Sequence, residues 1–183
     1  MELLERLKAI EDPVKRKAYF IGLISQEIKK KGGLPPVIVG GMAVEIYTQG
    51  SYTTGDIDLK AEKDLLEKTL TEWNFVKSGR IWFNEELDIY IDWLGSTLDE
   101  GKEAQKRVNR IIIGEGLEIN VLSIEDLIID RLNAYKWWKD EDSLVWAKVL
   151  LKVKEATGEP VDRDYLTERA LEEGLNDVIK EVI

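Results

Sequence analysis

Two aspartates one residue apart, Asp56 and Asp58, are the side chains of this sequence that point most directly to chemistry. They lie in Asp56-Ile57-Asp58-Leu59, where polar and apolar residues alternate as in a strand. Alternate side chains leave the same face of a strand, so the carboxylates would emerge about 6 to 7 Å apart at the backbone and could converge on one cation. At about 4 Å their repulsion would be on the order of 4 kcal/mol at an effective dielectric of about 20, a cost that a divalent ion would reverse. The other interpretation is that both are turn residues at a strand edge.

The composition limits which ion such a site could hold. The 183 residues include neither histidine nor cysteine. Any metal must therefore be bound through oxygen, which favours Mg2+ or Mn2+ over zinc. The lack of cysteine also excludes a disulfide framework, and the formal charge of −10 argues against a general nucleic-acid coat. Many glutamates and lysines with only two methionines are typical of thermophile proteins.

The residues before the acidic pair predict a helix, a strand and a second helix. The first helix covers residues 12–31, beginning at Asp12-Pro13 and ending before a segment rich in glycine and proline. Val37-Ile38-Val39 predicts a short strand that ends at Gly40-Gly41, after which helical periodicity resumes. Because glycine has no side chain, the backbone N–H groups at the start of this helix could approach a triphosphate. A tight turn alone is the alternative.

The residues after the acidic pair predict further strands and then helices. Residues 80–83 and 87–94 predict two strands joined by a short turn, with Asp88 and Asp92 on the polar face of the second strand. Residues 110–122 predict another hairpin.

Together these elements predict an α+β fold, a mixed β-sheet flanked by helices with a C-terminal helical cap. The first domain would cover residues 1–122 and contain the sheet with the N-terminal helix. The second would cover residues 123–183, a helical region packed on the core, which begins with a capping signal at Ser123.

Two motifs together resemble the signature of the polymerase-beta-like nucleotidyltransferases. They are Val39-Gly40-Gly41-Met42-Ala43 and Thr54-Gly55-Asp56-Ile57-Asp58-Leu59. The sequence is most similar to the small bacterial and archaeal branch that includes abortive-infection and other toxin-type members. The resemblance continues through Gly79-Arg80-Ile81-Trp82-Phe83 and residues 124–132, and so covers roughly residues 37–150. It implies that the mixed β-sheet is nucleotidyltransferase-like and that residues 1–122 contain the catalytic core.

This resemblance implies a third metal-binding carboxylate beside Asp56 and Asp58. Asp92 is preferred because Ile91-Asp92-Trp93-Leu94 is similar to the third motif of the family, and Asp88 is the alternative. These acids would hold Mg2+ or Mn2+ while an acceptor hydroxyl attacks the α-phosphate of an NTP and releases pyrophosphate. Asp92 would be the general base, or the ligand that lowers the pKa of the hydroxyl through the metal.

The resemblance also implies a set of nucleotide-binding residues. They are Gly40, Gly41, Thr54 and Arg131. For Arg131 an ion pair with Asp126 or Asp130 is an equal alternative. The sequence departs from the family pattern at Thr53, where an arginine often precedes the conserved threonine.

The function implied is therefore nucleotidyl transfer to an unidentified hydroxyl acceptor. The acceptor could be an RNA 3′ end, such as that of a tRNA, a protein or a small molecule. The toxin-type relatives imply a cognate antitoxin protein as a partner. The departure at Thr53 favours a second hypothesis, a nucleotide-binding or interaction protein that retains the fold without turnover. We expect a cytoplasmic protein, because no apolar segment is long enough for a signal peptide core or a membrane span.

Two weaker signals have ordinary structural explanations. A local basic group could guide RNA or a nucleotide, but a solvated helix face is the favoured interpretation. This group consists of Lys102, Lys106, Arg107 and Arg110. Four aromatic residues could stack on bases, but we assign them mainly to the core. They are Tyr135, Trp137, Trp138 and Trp146.

Overall fold

A computed structural model describes residues 2–114 and 116–183 of the chain, with side chains from residue 5 onward. These residues form helices and a seven-stranded sheet with both parallel and antiparallel pairs, so the predicted α+β fold class is confirmed. The chain divides into two compact units, the first ending at Leu122 and the second covering Ser123–Ile183. None of the helices in the described residues is long and apolar enough to cross a membrane.

The first unit contains the sheet and five helices of the described residues. The helices are α1 (Glu2–Lys8), α2 (Pro13–Lys30), α3 (Gly40–Tyr47), α4 (Lys63–Glu72) and α5 (Gly101–Arg107). The strands are β1 (Val37–Ile38), β2 (Ile57–Lys60), β3 (Val76–Ser78), β4 (Ile81–Asn84), β5 (Ile89–Trp93), β6 (Asn109–Gly114) and β7 (Leu117–Val121). Their order in the sheet is β3-β4-β5-β2-β1-β7-β6. The pairs β1–β7 and β2–β5 are parallel, and the other neighbouring pairs are antiparallel.

Helix α2 confirms the helix predicted from residues 12–31. The Asp12 side chain accepts a hydrogen bond from the Lys15 N–H at 3.0 Å, which caps the helix beside a proline in its first turn. Its apolar face, which includes Phe20, Ile21 and Ile24, is fully buried. Burying a face of this kind supplies most of the stability of a helix in a globular protein.

The second unit is helical, as the sequence predicts. It contains α6 (Ile124–Trp138), α7 (Glu141–Ala156), α8 (Arg163–Glu172) and a short 3-10 helix, Ile179–Glu181. The Ser123 hydroxyl accepts from the Asp126 N–H at 3.1 Å and donates to the Asp126 carboxylate at 2.6 Å, so the predicted helix start is confirmed. The buried Asp126 carboxylate also accepts a hydrogen bond from the Tyr165 hydroxyl at 2.7 Å.

The structure corrects three local predictions. Asp88 is not on the face of a strand, because it has a φ of +52° in the turn before β5. The two glycines do not precede α3 but form its first residues. The assignment of Trp137 and Trp138 to the core is wrong, since these side chains are 57% and 80% exposed at the end of α6.

Candidate functional site

Three carboxylates converge at the centre of the sheet. One oxygen atom from each of Asp56, Asp58 and Asp92 can be chosen so that all three lie within 4.8 Å of one another. The cause is the parallel pairing of β2 with β5, whose register sets Asp58 directly beside Asp92. Asp56 immediately precedes β2. The structure therefore brings Asp92 to the acidic pair, and it does not bring Asp88.

The glycine pair makes room for the Asp58 carboxylate. The Gly41 N–H donates a hydrogen bond to Asp58 Oδ2 at 2.8 Å. Gly40 has a φ of +53°, and a Cβ added there would lie 2.5 Å from the same oxygen. Glycine is required at position 40 both by the backbone conformation and by the approach of the carboxylate. The Gly41 N–H was predicted to approach a triphosphate. In this structure it donates its hydrogen bond to Asp58 instead.

Thr54 orients the second carboxylate. Its hydroxyl donates to Asp56 Oδ1 at 3.0 Å, and its carbonyl oxygen accepts from the Lys17 ammonium at 2.7 Å. Lys17 is also paired with the buried Glu45 carboxylate of α3 at 2.8 Å. This ammonium thus joins α2, α3 and the loop before β2. The predicted role of Thr54 in nucleotide binding stays a prediction.

Asp92 is the most buried of the three acids, with 5% of its surface exposed. Its Oδ2 accepts a hydrogen bond from the Arg80 guanidinium at 2.7 Å. Its Oδ1 is buried and has no hydrogen-bond partner among the described residues. Leaving a buried carboxylate oxygen without a partner is costly, and a bound cation would remove that cost.

Arg80 is a site residue that the sequence analysis missed. It appeared there only as part of the family resemblance, without a role. It lies just before β4, whose first residue, Ile81, pairs with Asp92 in the sheet. The signal that could have found it is its place at the start of the predicted strand 80–83, which a short turn joins to the strand that carries Asp92.

The electrostatics of the site favour a positively charged ligand. Burial, together with the negative charges of Asp56 and Asp92, raises the pKa of Asp58 to about 6. The hydrogen bond from Gly41 opposes this increase. The donor set is made only of carboxylate oxygens, which fits a hard ion such as Mg2+ or Mn2+.

A cleft of about 730 Å3 adjoins the acids. The residues that line it include Thr53, Thr54 and Asp56 from the loop before β2 and Arg16 from α2. The Arg16 guanidinium donates to the Ile10 carbonyl at 2.9 Å, and no carboxylate of the described residues lies within ion-pair distance of it. Arg16 therefore lines the cleft without an ion-pair partner among the described residues, while Asp56 and Asp88 line the same cleft.

Arg131 and three members of the predicted basic group have acidic partners of their own. Arg131 of α6 pairs with Asp130 at 2.6 Å, the ion pair offered above as the alternative to a phosphate contact. In the basic group, Lys106 and Arg107 pair with Glu103 at 2.9 and 3.7 Å. Arg110 pairs with Glu118 at 2.7 Å. These pairs agree with the interpretation of a solvated surface.

Comparison with known proteins adds no assignment to this geometry. No family model matches the chain, and no curated protein matches it either.

We expect Gly40→Ala to destabilise the protein more than Gly79→Ala does. Both glycines have a similar positive φ, +53° and +62°, but only at Gly40 would the new Cβ meet other atoms within 4 Å. Gly79→Ala should cost the backbone strain alone, about 1 to 2 kcal/mol, and Gly40→Ala at least about 1 kcal/mol more because Asp58 must move. Urea denaturation measures both. Equal losses would contradict the close contact between Gly40 and Asp58.

We expect Asp58→Asn to stabilise the metal-free protein at pH 8, on the order of 2 to 3 kcal/mol for a pKa raised from 3.8 to about 6. The new amide oxygen can still accept from Gly41. Between about pH 4 and pH 6 the folded wild type holds a proton that the unfolded chain has lost, so its free energy of unfolding falls as the pH rises. The advantage of the variant should therefore shrink from pH 8 to pH 4. Urea denaturation in EDTA tests this, and a difference independent of pH would refute it.

Proposed function

We propose that this protein is a metal-dependent nucleotidyltransferase that moves a nucleotide from an NTP to a hydroxyl acceptor. The observation that carries the proposal is the convergence of Asp56, Asp58 and Asp92, together with the unpartnered buried oxygen of Asp92. Carboxylates on neighbouring strands beside a helix that starts with two glycines are also what the family resemblance implies. Turnover and acceptor are part of the proposal.

Each acid has a separate group that holds it in place. The Gly41 N–H holds Asp58, the Thr54 hydroxyl holds Asp56, and Arg80 holds Asp92. Such fixed orientation lowers the reorganisation needed at the moment of reaction. Mg2+ or Mn2+ bound to the three acids would neutralise triphosphate charge and make the acceptor hydroxyl more acidic.

The reaction would be an in-line displacement. The acceptor oxygen forms a bond to the α-phosphorus of the NTP, and the bond from that phosphorus to the bridging oxygen of the β-phosphate breaks. Pyrophosphate leaves with the bonding electrons. The hydroxyl proton passes to a carboxylate oxygen of Asp92, which is the candidate general base.

The large cleft is the candidate NTP site. Its volume of about 730 Å3 lies within the usual range for small-molecule sites. Arg16 lines this cleft, as does Thr53, the position at which the family often has an arginine. Arg16 could therefore bind the triphosphate in place of the missing arginine. Tyr90 lines the cleft, is partly exposed and stacks on Phe83, so it is the candidate aromatic contact for the base.

The acceptor and the biological partner follow only from the resemblance. We propose an RNA 3′ end, such as that of a tRNA, a protein hydroxyl or a small molecule as the acceptor. A toxin-type role with a cognate antitoxin protein belongs to the same proposal. Gly40, Gly41, Thr54 and Arg131 remain candidates for nucleotide contacts.

A second candidate function is nucleotide binding without turnover. Two observations favour it: Thr53 stands where the family often has an arginine, and the Gly41 N–H is bonded to Asp58 rather than free for a phosphate. The two functions differ in whether label is transferred to an acceptor.

We expect Mg2+ and Mn2+ to stabilise the wild type and the variant Asp88→Asn, but not Asp92→Asn. A concentration tenfold above the Kd adds about 1.4 kcal/mol to the free energy of unfolding. Asp88→Asn is the matched control, because asparagine tolerates the positive φ at that turn. Thermal unfolding with each ion measures the effect. Equal stabilisation of both variants would remove Asp92 from the metal site.

We expect the wild type to transfer label from at least one α-labelled NTP to total tRNA or to proteins of a cell lysate in Mg2+. Asp58→Asn should reduce the rate on the order of a hundredfold or more, and Asp88→Asn should reduce it much less, because Asp88 lines the cleft but is not one of the three converging acids. Gel analysis of the products measures the transfer. Nucleotide binding without transfer would contradict the enzyme proposal and favour the second candidate. Loss of both binding and transfer would contradict a nucleotide site.

A further inference from the structure

A second, smaller pocket lies on the face of the sheet opposite the large cleft, since Trp82 and Trp93 line it and alternate along their strands with Ile81 and Asp92. It has a volume of about 170 Å3 and is formed by α4, the segment around β3 and β4, and the end of β5. We call it the basic pocket. Its lining residues with charged or aromatic side chains are Lys63, Glu67, Lys77, Arg80, Trp82 and Trp93.

The basic pocket concentrates positive charge in a protein whose formal charge is −10. Three cationic side chains line it against the single carboxylate of Glu67. That carboxylate is hydrogen-bonded to Lys77. Lys63 lies over the Trp93 ring at 5.5 Å, and no carboxylate of the described residues is within ion-pair distance of it. The pocket therefore has more positive charge than its own acid can neutralise.

The two indole rings hold the cations at the pocket. Lys63 lies over Trp93, and Lys77 lies 5.4 Å from the centre of the Trp82 ring. The Trp93 ring is itself fixed by its N–H, which donates to the Ala61 carbonyl at 2.9 Å. Ring faces attract ammonium groups without using their N–H donors. The donors of Lys63, and those of Lys77 that are not bonded to Glu67, remain able to bind an anion.

Arg80 connects the basic pocket to the carboxylate site. Its guanidinium lines the pocket and also donates to Asp92 Oδ2 at 2.7 Å, while 65% of its side chain is exposed. Guanidinium has five N–H donors in a planar fork, so Arg80 can hold Asp92 and a phosphate oxygen together. An anion bound to Arg80 in the pocket would thus share this guanidinium with the candidate general base, Asp92.

We propose that the basic pocket is the subsite for a phosphate group of the acceptor. Its small volume suits a single phosphate rather than a whole nucleotide, for which the cleft of about 730 Å3 is available. The acceptor is then a phosphorylated molecule, either a polynucleotide end or a small phosphate ester. The assignment of this phosphate to the acceptor rests on the proposed nucleotidyl transfer. The binding of phosphate by the pocket does not depend on that proposal.

The test is direct binding of inorganic phosphate to the full chain without metal or NTP. The indole N–H signals of Trp82 and Trp93, assigned with Trp→Phe variants, report on the pocket by NMR, and Trp73, which does not line it, is the internal control. We expect saturable shifts of the first two signals at constant ionic strength. Lys63→Gln and Lys77→Gln should each weaken binding about tenfold or more.

Lys102→Gln is the matched control, because it removes one exposed lysine from α5, which does not line the pocket. It should bind phosphate as the wild type does. All three lysines are exposed, and thermal unfolding checks that the variants fold. Shifts that do not saturate, or equal losses in all three variants, would overturn the proposal.

Further ligands separate the possible sources of the phosphate. Ribose 5-phosphate is compared with ribose, and a 5′-phosphorylated dinucleotide with the same dinucleotide lacking that phosphate. We expect only the phosphorylated member of a pair to shift Trp82 and Trp93. ATP is the last ligand compared. If ATP displaces inorganic phosphate and perturbs the same two indole signals, the pocket binds the triphosphate and the acceptor assignment is overturned. Phosphate binding without label transfer would refute only the proposed function.

Discussion

The parallel pairing of β2 with β5 is the constraint on which the candidate site depends. It sets Asp58 beside Asp92 and leaves Asp56 at the start of the same strand. Three negative charges are thereby gathered in a partly buried region, where their repulsion is much stronger than in water. A fold organised only for stability has no reason to collect them.

The surrounding residues offset part of this repulsion without removing it. Gly41, Thr54 and Arg80 each donate one hydrogen bond to a different acid, and Lys17 fixes the loop that carries Thr54. The raised pKa of Asp58 and the unpartnered oxygen of Asp92 show that the compensation is incomplete. A divalent cation would neutralise the remaining negative charge, and carboxylate oxygens are ligands that such a cation prefers.

The elements encoded by local signals could be predicted from the sequence. The cap at Asp12 predicted helix α2. The alternation of polar and apolar residues around Ile57 predicted the strand that carries the acidic pair. The choice between Asp92 and Asp88 could not be decided from the residues alone. It depends on strand register and on the positive φ of Asp88, which are set by contacts distant in sequence. The role of Arg80 was missed for the same reason, since it exists only once β4 pairs with β5.

The central claim is that Asp56, Asp58 and Asp92 together bind a divalent metal. A crystal of the protein soaked in Mn2+ and measured at a wavelength where manganese scatters anomalously tests it most directly. We expect an anomalous peak within coordination distance of oxygen atoms from all three carboxylates, about 2.0 to 2.3 Å. A fully soaked crystal with no peak there, and with Asp92 Oδ1 still unpartnered, would contradict the account.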